Sequence, residues 1–258
     1  MNLLDGTLVL LAGVGAGTIN TVVGSGTLIT FPTLLALGYP PVLANVSNNI
    51  GLAPGSLAGA IGYRRELTGQ RDRLLRLGSA SLIGAVIGAL LLLTLPSSAF
   101  EAVVPVLIGL GCVMVLVQPR LQAWVAARRT HYRPPHGSAG VWTLVGLTGV
   151  YGGYFGAAQG VLLIAVLGIG LDEGLQRVNA AKNVLSTIVN SVAALVFIVA
   201  ASLSYGEAAI SWPAVGLIAV GSTIGGVIGS AVGRRLPAPV FRVVVATVGV
   251  VAIVRLVG

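Results

Sequence analysis

Charged residues are scarce in this chain, and their scarcity excludes a soluble globular domain of ordinary composition. Only 9% of the 258 residues are charged, whereas 55% are hydrophobic and 37 are glycine. This composition is typical of a helical membrane protein. The apolar runs are long and lack the period-two alternation of a membrane β-barrel, so the predicted fold class is all-α, a polytopic helical membrane protein.

Residues that serve enzymes and metal sites are also few. The single cysteine, Cys112, excludes an internal disulfide and a Cys-x-x-Cys site, and neither His131 nor His136 belongs to an HExxH motif. All seven acidic residues lie in loops or at segment ends, so no pair of carboxylates occurs within an apolar run. The sequence therefore predicts no enzyme activity, no metal site and no cofactor.

The positive charge that is present marks loops. The net charge of +8 comes from basic clusters between apolar runs, without interleaved aromatic residues, so nucleic-acid binding is not expected. By the positive-inside rule, the basic loops at 64–76 and 119–139 lie in the cytoplasm, in a multi-pass protein of the cell membrane. No basic region precedes the first apolar run, which begins after Asp5, so we expect this run to be retained rather than cleaved as a signal peptide.

An internal repeat organises the chain. Residues 13–63 recur, diverged but without a gap, at 147–197. The shift that aligns the two copies pairs Gly26 with Gly160, Leu28 with Leu162, Asn45 with Asn179 and Asn49 with Asn183. The predicted units are a first transmembrane repeat, a cytoplasmic linker and a second transmembrane repeat, at 1–118, 119–139 and 140–258.

Each repeat divides into five apolar segments. We predict about 8 to 10 membrane segments, at 7–23, 27–37, 43–63, 74–95, 99–118, 140–155, 158–171, 178–203, 212–233 and 239–257. The first two segments of each repeat are too short for standard spans and form either tilted broken helices or a re-entrant pair. Because five is odd, the second repeat must be inverted relative to the first, as in many secondary transporters.

The interruption in each short pair is the first candidate site. Gly24, Ser25, Gly26 and Thr27 form the break in the first repeat, and Gln159 and Gly160 lie at the corresponding place in the second. A helix that begins at such a turn offers unpaired N–H donors and a partial positive charge, both of which favour an anion. The alternative is that these small residues only allow helices to pack closely.

A polar stripe follows each break. Asn179, Lys182 and Asn183, continued by Ser186 and Asn190, lie on one helix face, and the first repeat contains a similar stripe of Asn45, Asn48, Asn49 and Ser56. Amides are costly in lipid, so the stripes should face the protein interior, where they either line a polar path or bond helices together. Lys182 either contacts the substrate or extends to the cytoplasmic interface.

The residues around the first break resemble those of a known family. The stretch AGTINTVVGSGTLITFPTLLALGYPPVLANVSN, at 16–48, is similar to the TauE/SafE family of membrane transporters, and the similarity covers essentially the whole chain. It implies a permease or exporter for sulfite, sulfonates or related organosulfur anions. The second copy departs from the family's glycine-rich pattern, with Ala157-Ala158-Gln159 in its place.

The functional hypothesis is a permease for small anions, with sulfur-containing anions such as sulfite, sulfonates or related organosulfur anions as the expected substrates. The alternatives are a permease for a non-sulfur carboxylate and a membrane scaffold or assembly protein that transports nothing. The expected partners are a small anionic substrate and the lipid bilayer, and a homo-oligomer is compatible with the sequence. Because no acidic residue or histidine lies within a span, we expect electrogenic, largely pH-independent efflux; coupling to protons or sodium stays open.

Overall fold

The chain folds into helices throughout the part that the structure, a computed structural model, describes: residues 1–127, 134, 136–205, 209–232 and 247. Over these residues the helices are α1 Leu3–Val22, α2 Thr27–Ala36, α3 Pro41–Gly62, α4 Arg71–Thr94, α5 Ser97–Ala127, α6 Ala139–Tyr154, α7 Gln159–Gly170, α8 Leu175–Ser202 and α9 Trp212–Val232, with a 3-10 turn at Arg64–Leu67. The predicted all-α class is confirmed. The predicted tenth segment, at 239–257, lies outside the described residues except for residue 247, and His131, Glu207 and much of the predicted linker also lie outside them.

Five helices are long and apolar enough to cross a membrane, among those described. They are α1, α4, α5 over Ser97–Arg120, α8 and α9. The helix α3 is continuous over 22 residues and carries the amides of the polar stripe, and it is not among these five. The helices α2 and α7 have only 10 and 12 residues, as the sequence predicts for the second member of each short pair.

Two predicted boundaries are wrong. The helix α1 has 20 residues, because a capping box starts it early: Asn2 Oδ1 accepts from the N–H of Asp5 at 2.8 Å, and Asp5 Oδ2 accepts from the N–H of Asn2 at 3.1 Å. It is therefore not too short to span. The helix α5 runs through Pro119 to Ala127, so the first part of the predicted linker is helical. A proline removes one helical hydrogen bond, but the residues after it are mostly good helix formers.

The backbone at the two breaks is left-handed at equivalent places. Gly24 has φ +90°, and Ala158, which the repeat shift places on Gly24, has φ +57°. A left-handed conformation suits glycine and costs an alanine about 1–2 kcal/mol. The second break thus keeps the geometry of the first although its sequence has lost the glycine.

Contacts between the repeats occur in matching pairs. The helix α1 packs on α9, and correspondingly α6 packs on α4. The helix α3 contacts α9, and correspondingly α8 contacts α4. The helices α3 and α8 also contact each other. Exchanging the two repeats converts each of these contacts into another member of the same set. This is the pattern expected of two repeats related by a two-fold axis, and the inverted orientation itself stays a prediction.

Glycines allow the paired helices to approach closely in both repeats. A Cβ built on Gly225 of α9 would lie 2.1 Å from the carbonyl oxygen of Val14 in α1, and one built on Gly88 of α4 would lie 2.0 Å from that of Val150 in α6. Small residues at helix crossings are the usual means of packing in membranes. Each tight pair therefore joins the helix that precedes a break to a helix of the other repeat.

Candidate functional site

The two helix breaks meet backbone to backbone. The N–H of Gly160 donates to the carbonyl oxygen of Gly24 at 3.0 Å, and a Cβ built on Gly24 would lie 2.3 Å from the Cα of Gly160. Close packing, the alternative interpretation of these glycines, is thus present at this pair. The contact also means that the Gly160 N–H is not available to a ligand in this structure.

Other donors at the first break remain unused. Ser25, Gly26 and Thr27 precede or begin α2, and within the described residues their N–H groups have no acceptor. The Ser25 hydroxyl is fully buried and also has no partner there. The positive end of α2 therefore offers several donors to a group with negative charge.

The second break presents fewer free donors. The Gln159 side chain is buried over Gly152, and its Nε2 has no acceptor among the residues described. The N–H groups of Ala157 and Ala158 are likewise unpaired in the described part of the chain. Gln159 and Gly160, predicted from their position in the repeat, thus lie with Gly24 where the two breaks meet, a place called the crossing below.

Lys182 of α8 enters the break of the other repeat. Its side chain is 0% exposed, and its ammonium donates to the carbonyl oxygens of Asn20 at 2.9 Å and Thr21 at 3.0 Å. These carbonyls belong to the last turn of α1, which has unpaired acceptors and a partial negative charge. The alternative that Lys182 extends to the membrane interface is therefore wrong.

The stripe residues beside Lys182 bind the same helix end. Asn183 Nδ2 donates to the carbonyl oxygen of Thr21 at 3.2 Å, and Asn179 Nδ2 donates to it at 3.4 Å. The Asn179 Oδ1 is buried and has no partner in the described residues. A cation and two amides thus converge on one carbonyl.

The stripe of the first repeat makes the reciprocal contact. Asn45 Nδ2 of α3 donates to the carbonyl oxygen of Tyr154, in the last turn of α6, at 2.8 Å. Each third helix therefore caps the first helix of the opposite repeat. Asn49 is 7% exposed, and its Oδ1 has no partner in the described part.

Asn48, which corresponds to Lys182 under the repeat shift, instead bonds to α2. Its Nδ2 donates to Thr27 Oγ1 at 3.4 Å, and its Oδ1 accepts a short hydrogen bond from the Thr30 hydroxyl. The two breaks therefore differ in charge: an ammonium serves the first, and only neutral amides serve the second.

Two other polar contacts at the crossing were missed by sequence reasoning. Thr30 lies on α2 one helical turn after the break, so its helical spacing from the break was the signal that could have predicted its contact with Asn48. Gln118 Nε2 donates to the carbonyl oxygen of Val23 at 3.5 Å, while its Oε1 has no partner among described residues. An amide within the apolar run of α5 was the signal for Gln118.

No carboxylate balances the charge of Lys182 within the described residues. Six of the seven acidic residues are described, and none of these six pairs with Lys182; Glu173 pairs with Arg73 and Arg177 instead. Burying an ion costs several kcal/mol, which two carbonyls offset only in part. The crossing thus encloses a lysine amino group that has no carboxylate partner in the described part of the chain.

The ion pairs lie at the end of the protein that bears the 64–76 loop. Arg73 NH1 lies 2.9 Å from Glu173 Oε1, and Arg177 NH1 donates to the carbonyl oxygen of Thr68 at 3.0 Å. Burial raises the pKa of Glu173, but hydrogen bonds from Arg177 and Arg73 outweigh it and hold that pKa below its usual value. This cluster joins the loop before α4 to the start of α8, which carries Lys182.

Two described grooves of about 380 Å³ each lie near the 64–76 loop, and no candidate site residue lines either of them.

Comparison with known proteins gives one family and several relatives. The family model described as sulfite exporter TauE/SafE matches residues 9–256. The chain is 30% identical over 146 residues to the probable membrane transporter protein YfcA of Escherichia coli, an alignment that covers 56% of this chain and 52% of that protein. It is 26% identical over 242 residues to the probable membrane transporter protein ORF9 of a Sinorhizobium species, covering 93% of this chain and 88% of that protein.

The chain spans about half the length of the YfcA proteins that it matches. No solved structure matches the chain. The family and the relatives' names point to a membrane transporter rather than an enzyme.

Proposed function

The chain belongs to the sulfite exporter TauE/SafE family of membrane transporters, and we propose that it is a permease for small anions, with sulfur-containing anions such as sulfite and sulfonates as substrates. We further propose that it lies in the cell membrane with its basic loops in the cytoplasm. The family description supports the choice of sulfur oxyanions. The buried amino group of Lys182 and the unpaired donors at the crossing support an anion in general.

The observation that carries the proposal is the buried ammonium of Lys182. Two of its three N–H groups bond to carbonyls of α1, and no carboxylate contacts it among the described residues. An anion at the third N–H would offset the cost of burying this charge. The substrate would thus supply the counter-ion that the chain does not.

The donors around the break suit an oxyanion. Such an anion presents several oxygens, and the N–H groups of Ser25, Gly26 and Thr27, with the Ser25 hydroxyl, are unpaired in the described part of the chain. Helix N-termini and hydroxyl groups are common ligands of oxyanions in proteins. A second set, the Nε2 of Gln159 and the N–H groups of the residues before it, would bind from the opposite repeat.

Transport requires the two breaks to separate. In this structure the backbones of Gly24 and Gly160 touch, so no ion fits between them. Movement of one repeat against the other about a central site is the usual mechanism of inverted-repeat carriers. The matching contacts between the repeats support such a mechanism here.

Flux into proteoliposomes tests the proposal. Labelled sulfite, methanesulfonate and acetate would be compared at equal concentration, under argon to protect the sulfite, with protein-free liposomes as the control. We expect saturable flux of sulfite or methanesulfonate that exceeds that of acetate. Equal flux of acetate would favour the carboxylate alternative, and no flux of any anion above protein-free liposomes would favour a scaffold.

A further inference from the structure

The end of α1 resembles a cation site that is already occupied. The carbonyl oxygens of Asn20 and Thr21 point at the Lys182 ammonium from 2.9 and 3.0 Å, in a region where the lysine is fully buried. In transporters with broken helices, carbonyls at the end of a half-helix coordinate the Na⁺ that drives transport. Here a covalently attached ammonium supplies the same single positive charge.

Two amide side chains bind one of these carbonyls. Asn179 and Asn183 both donate to the carbonyl oxygen of Thr21. Asn179 is 7% exposed, and its Oδ1 has no partner among the described residues. Amide and carbonyl oxygens are the ligands that hard monovalent cations prefer, and rotation of an amide exchanges its N–H₂ for its oxygen. The atoms around the ammonium are therefore suited to a metal cation.

The lysine reaches this place through a gap made by glycine. A Cβ built on Gly160 would lie 2.9 Å from Lys182 Cδ, so the side chain crosses the second break before it meets α1. In the other repeat, Asn48 stands at the position of Lys182 and bonds to Thr27 and Thr30. Only one of the two breaks thus has a tethered positive charge in the described structure.

We propose that Lys182 is a built-in substitute for a coupling cation: its ammonium occupies a monovalent-cation site formed by the carbonyls of Asn20 and Thr21 and the amides of Asn179 and Asn183. Anion flux then needs no sodium, because the charge that sodium would bring is already part of the chain. Removing the lysine side chain opens the site to a free cation. The flux consequence depends on the proposed transport, whereas cation binding does not.

Thermal unfolding of the purified protein tests the binding part without any substrate. Melting temperatures would be measured for wild type, Lys182→Ala and Lys182→Met in sodium, methylammonium and choline chlorides of equal ionic strength. A ligand that binds only the folded state raises the melting temperature in proportion to the logarithm of its concentration above its dissociation constant. Choline is too large for the site and serves as the ionic-strength control.

We expect the melting temperature of wild type to be the same in all three salts. Sodium or methylammonium should raise that of Lys182→Ala by several degrees over choline, whereas Lys182→Met should not respond, because its side chain fills the space without charge. Asn48→Ala, the matched change in the other repeat, should not respond either. In liposomes, sodium or methylammonium should restore sulfite flux to Lys182→Ala and leave wild-type flux unchanged.

Three results would overturn the inference. They are a sodium-specific rise in the melting temperature of wild type, the absence of any cation response in Lys182→Ala, and failure of Lys182→Ala to fold even when purified in sodium and methylammonium. If wild type transports no sulfite, the proposed substrate fails, while the melting experiment still decides whether the cation site exists.

Discussion

Replacing Gly24 by alanine tests the contact between the two helix breaks, and Gly38 provides a matched control. Both glycines have left-handed backbones, with φ +90° and +84°. A Cβ on Gly24 would lie 2.3 Å from the Cα of Gly160, whereas one on Gly38 would have nothing within 4 Å. Gly38→Ala therefore introduces backbone strain alone, and Gly24→Ala introduces the same strain together with a steric overlap.

The difference between the variants can be worked out from the structure. The left-handed backbone costs an alanine about 1–2 kcal/mol in either variant. In Gly24→Ala the breaks must also separate by about 1.2–1.7 Å before the new methyl group, 2.3 Å from the Cα of Gly160, reaches the van der Waals distance of about 3.5–4.0 Å. Forcing an extra methyl group into a packed interior costs about 1–3 kcal/mol. We expect the free energy of unfolding of Gly24→Ala to be lower than that of Gly38→Ala by about this second amount.

Unfolding by titration with SDS, at a fixed concentration of the solubilising detergent, would measure that difference. Both variants should be compared with wild type in the same preparation, with tryptophan fluorescence as the readout. Loss of the hydrogen bond from the Gly160 N–H to Gly24 should accompany the change and would appear as faster amide exchange at Gly160. Equal losses of stability in the two variants would refute the close approach of the breaks.

Three further predictions concern the ion cluster, the amide contacts and the driving force. Glu173→Gln should lower the free energy of unfolding by about 1–3 kcal/mol at neutral pH. Because the pKa of Glu173 is lowered in the folded state, this loss should disappear as the pH falls through that pKa. A loss of equal size at low pH would argue against the ion pairs. Asn190 Nδ2 donates to Ser56 Oγ at 2.8 Å, so a double-mutant cycle of Asn190→Ala and Ser56→Ala should give a coupling of about 0.6–1.7 kcal/mol, and zero coupling would contradict the contact. Efflux of an anion should follow an imposed membrane potential, which supplies about 2.3 kcal/mol per 100 mV for each charge; flux that follows a pH gradient and ignores the potential would exclude electrogenic transport.

Local patterns in the sequence were enough to predict most of the helices. Nine predicted segments correspond to α1–α9, because hydrophobic runs, glycine-rich breaks and the prolines at 40 and 41 mark their limits. The extension of α5 beyond Pro119 was not predictable in this way, since an internal proline often ends a helix and here does not. The early start of α1 depends on a cap formed by side chains rather than on hydrophobicity.

The composition of the site was more predictable than its pairing. The spacing of Asn179, Lys182 and Asn183 placed them on one interior face, and they do share a target. That target is the end of α1, more than 150 residues earlier in the chain, as the separations of these hydrogen bonds show. No local pattern specifies such a partner, because it depends on how the two repeats cross.

The left-handed backbone at Ala158 could not be predicted from residue type. Alanine rarely adopts this conformation, so the residue type alone does not predict it where the first repeat has Gly24. The repeat alignment alone carried that information. Conformation at the break therefore follows from the fold of the repeat rather than from the preference of the residue.

The concentration dependence of sulfite flux in Lys182→Met is the most direct test of the central claim that a buried ammonium binds the transported anion. Methionine keeps the volume of the side chain and removes its charge, and Arg71→Met, at an exposed basic position, is the matched control. A hydrogen bond to a charged group contributes about 1.5–3 kcal/mol. The half-saturating concentration of sulfite should therefore rise about 10- to 150-fold in Lys182→Met. In Arg71→Met it should stay within about twofold of the wild-type value. Equal half-saturating concentrations in wild type and Lys182→Met would contradict the account.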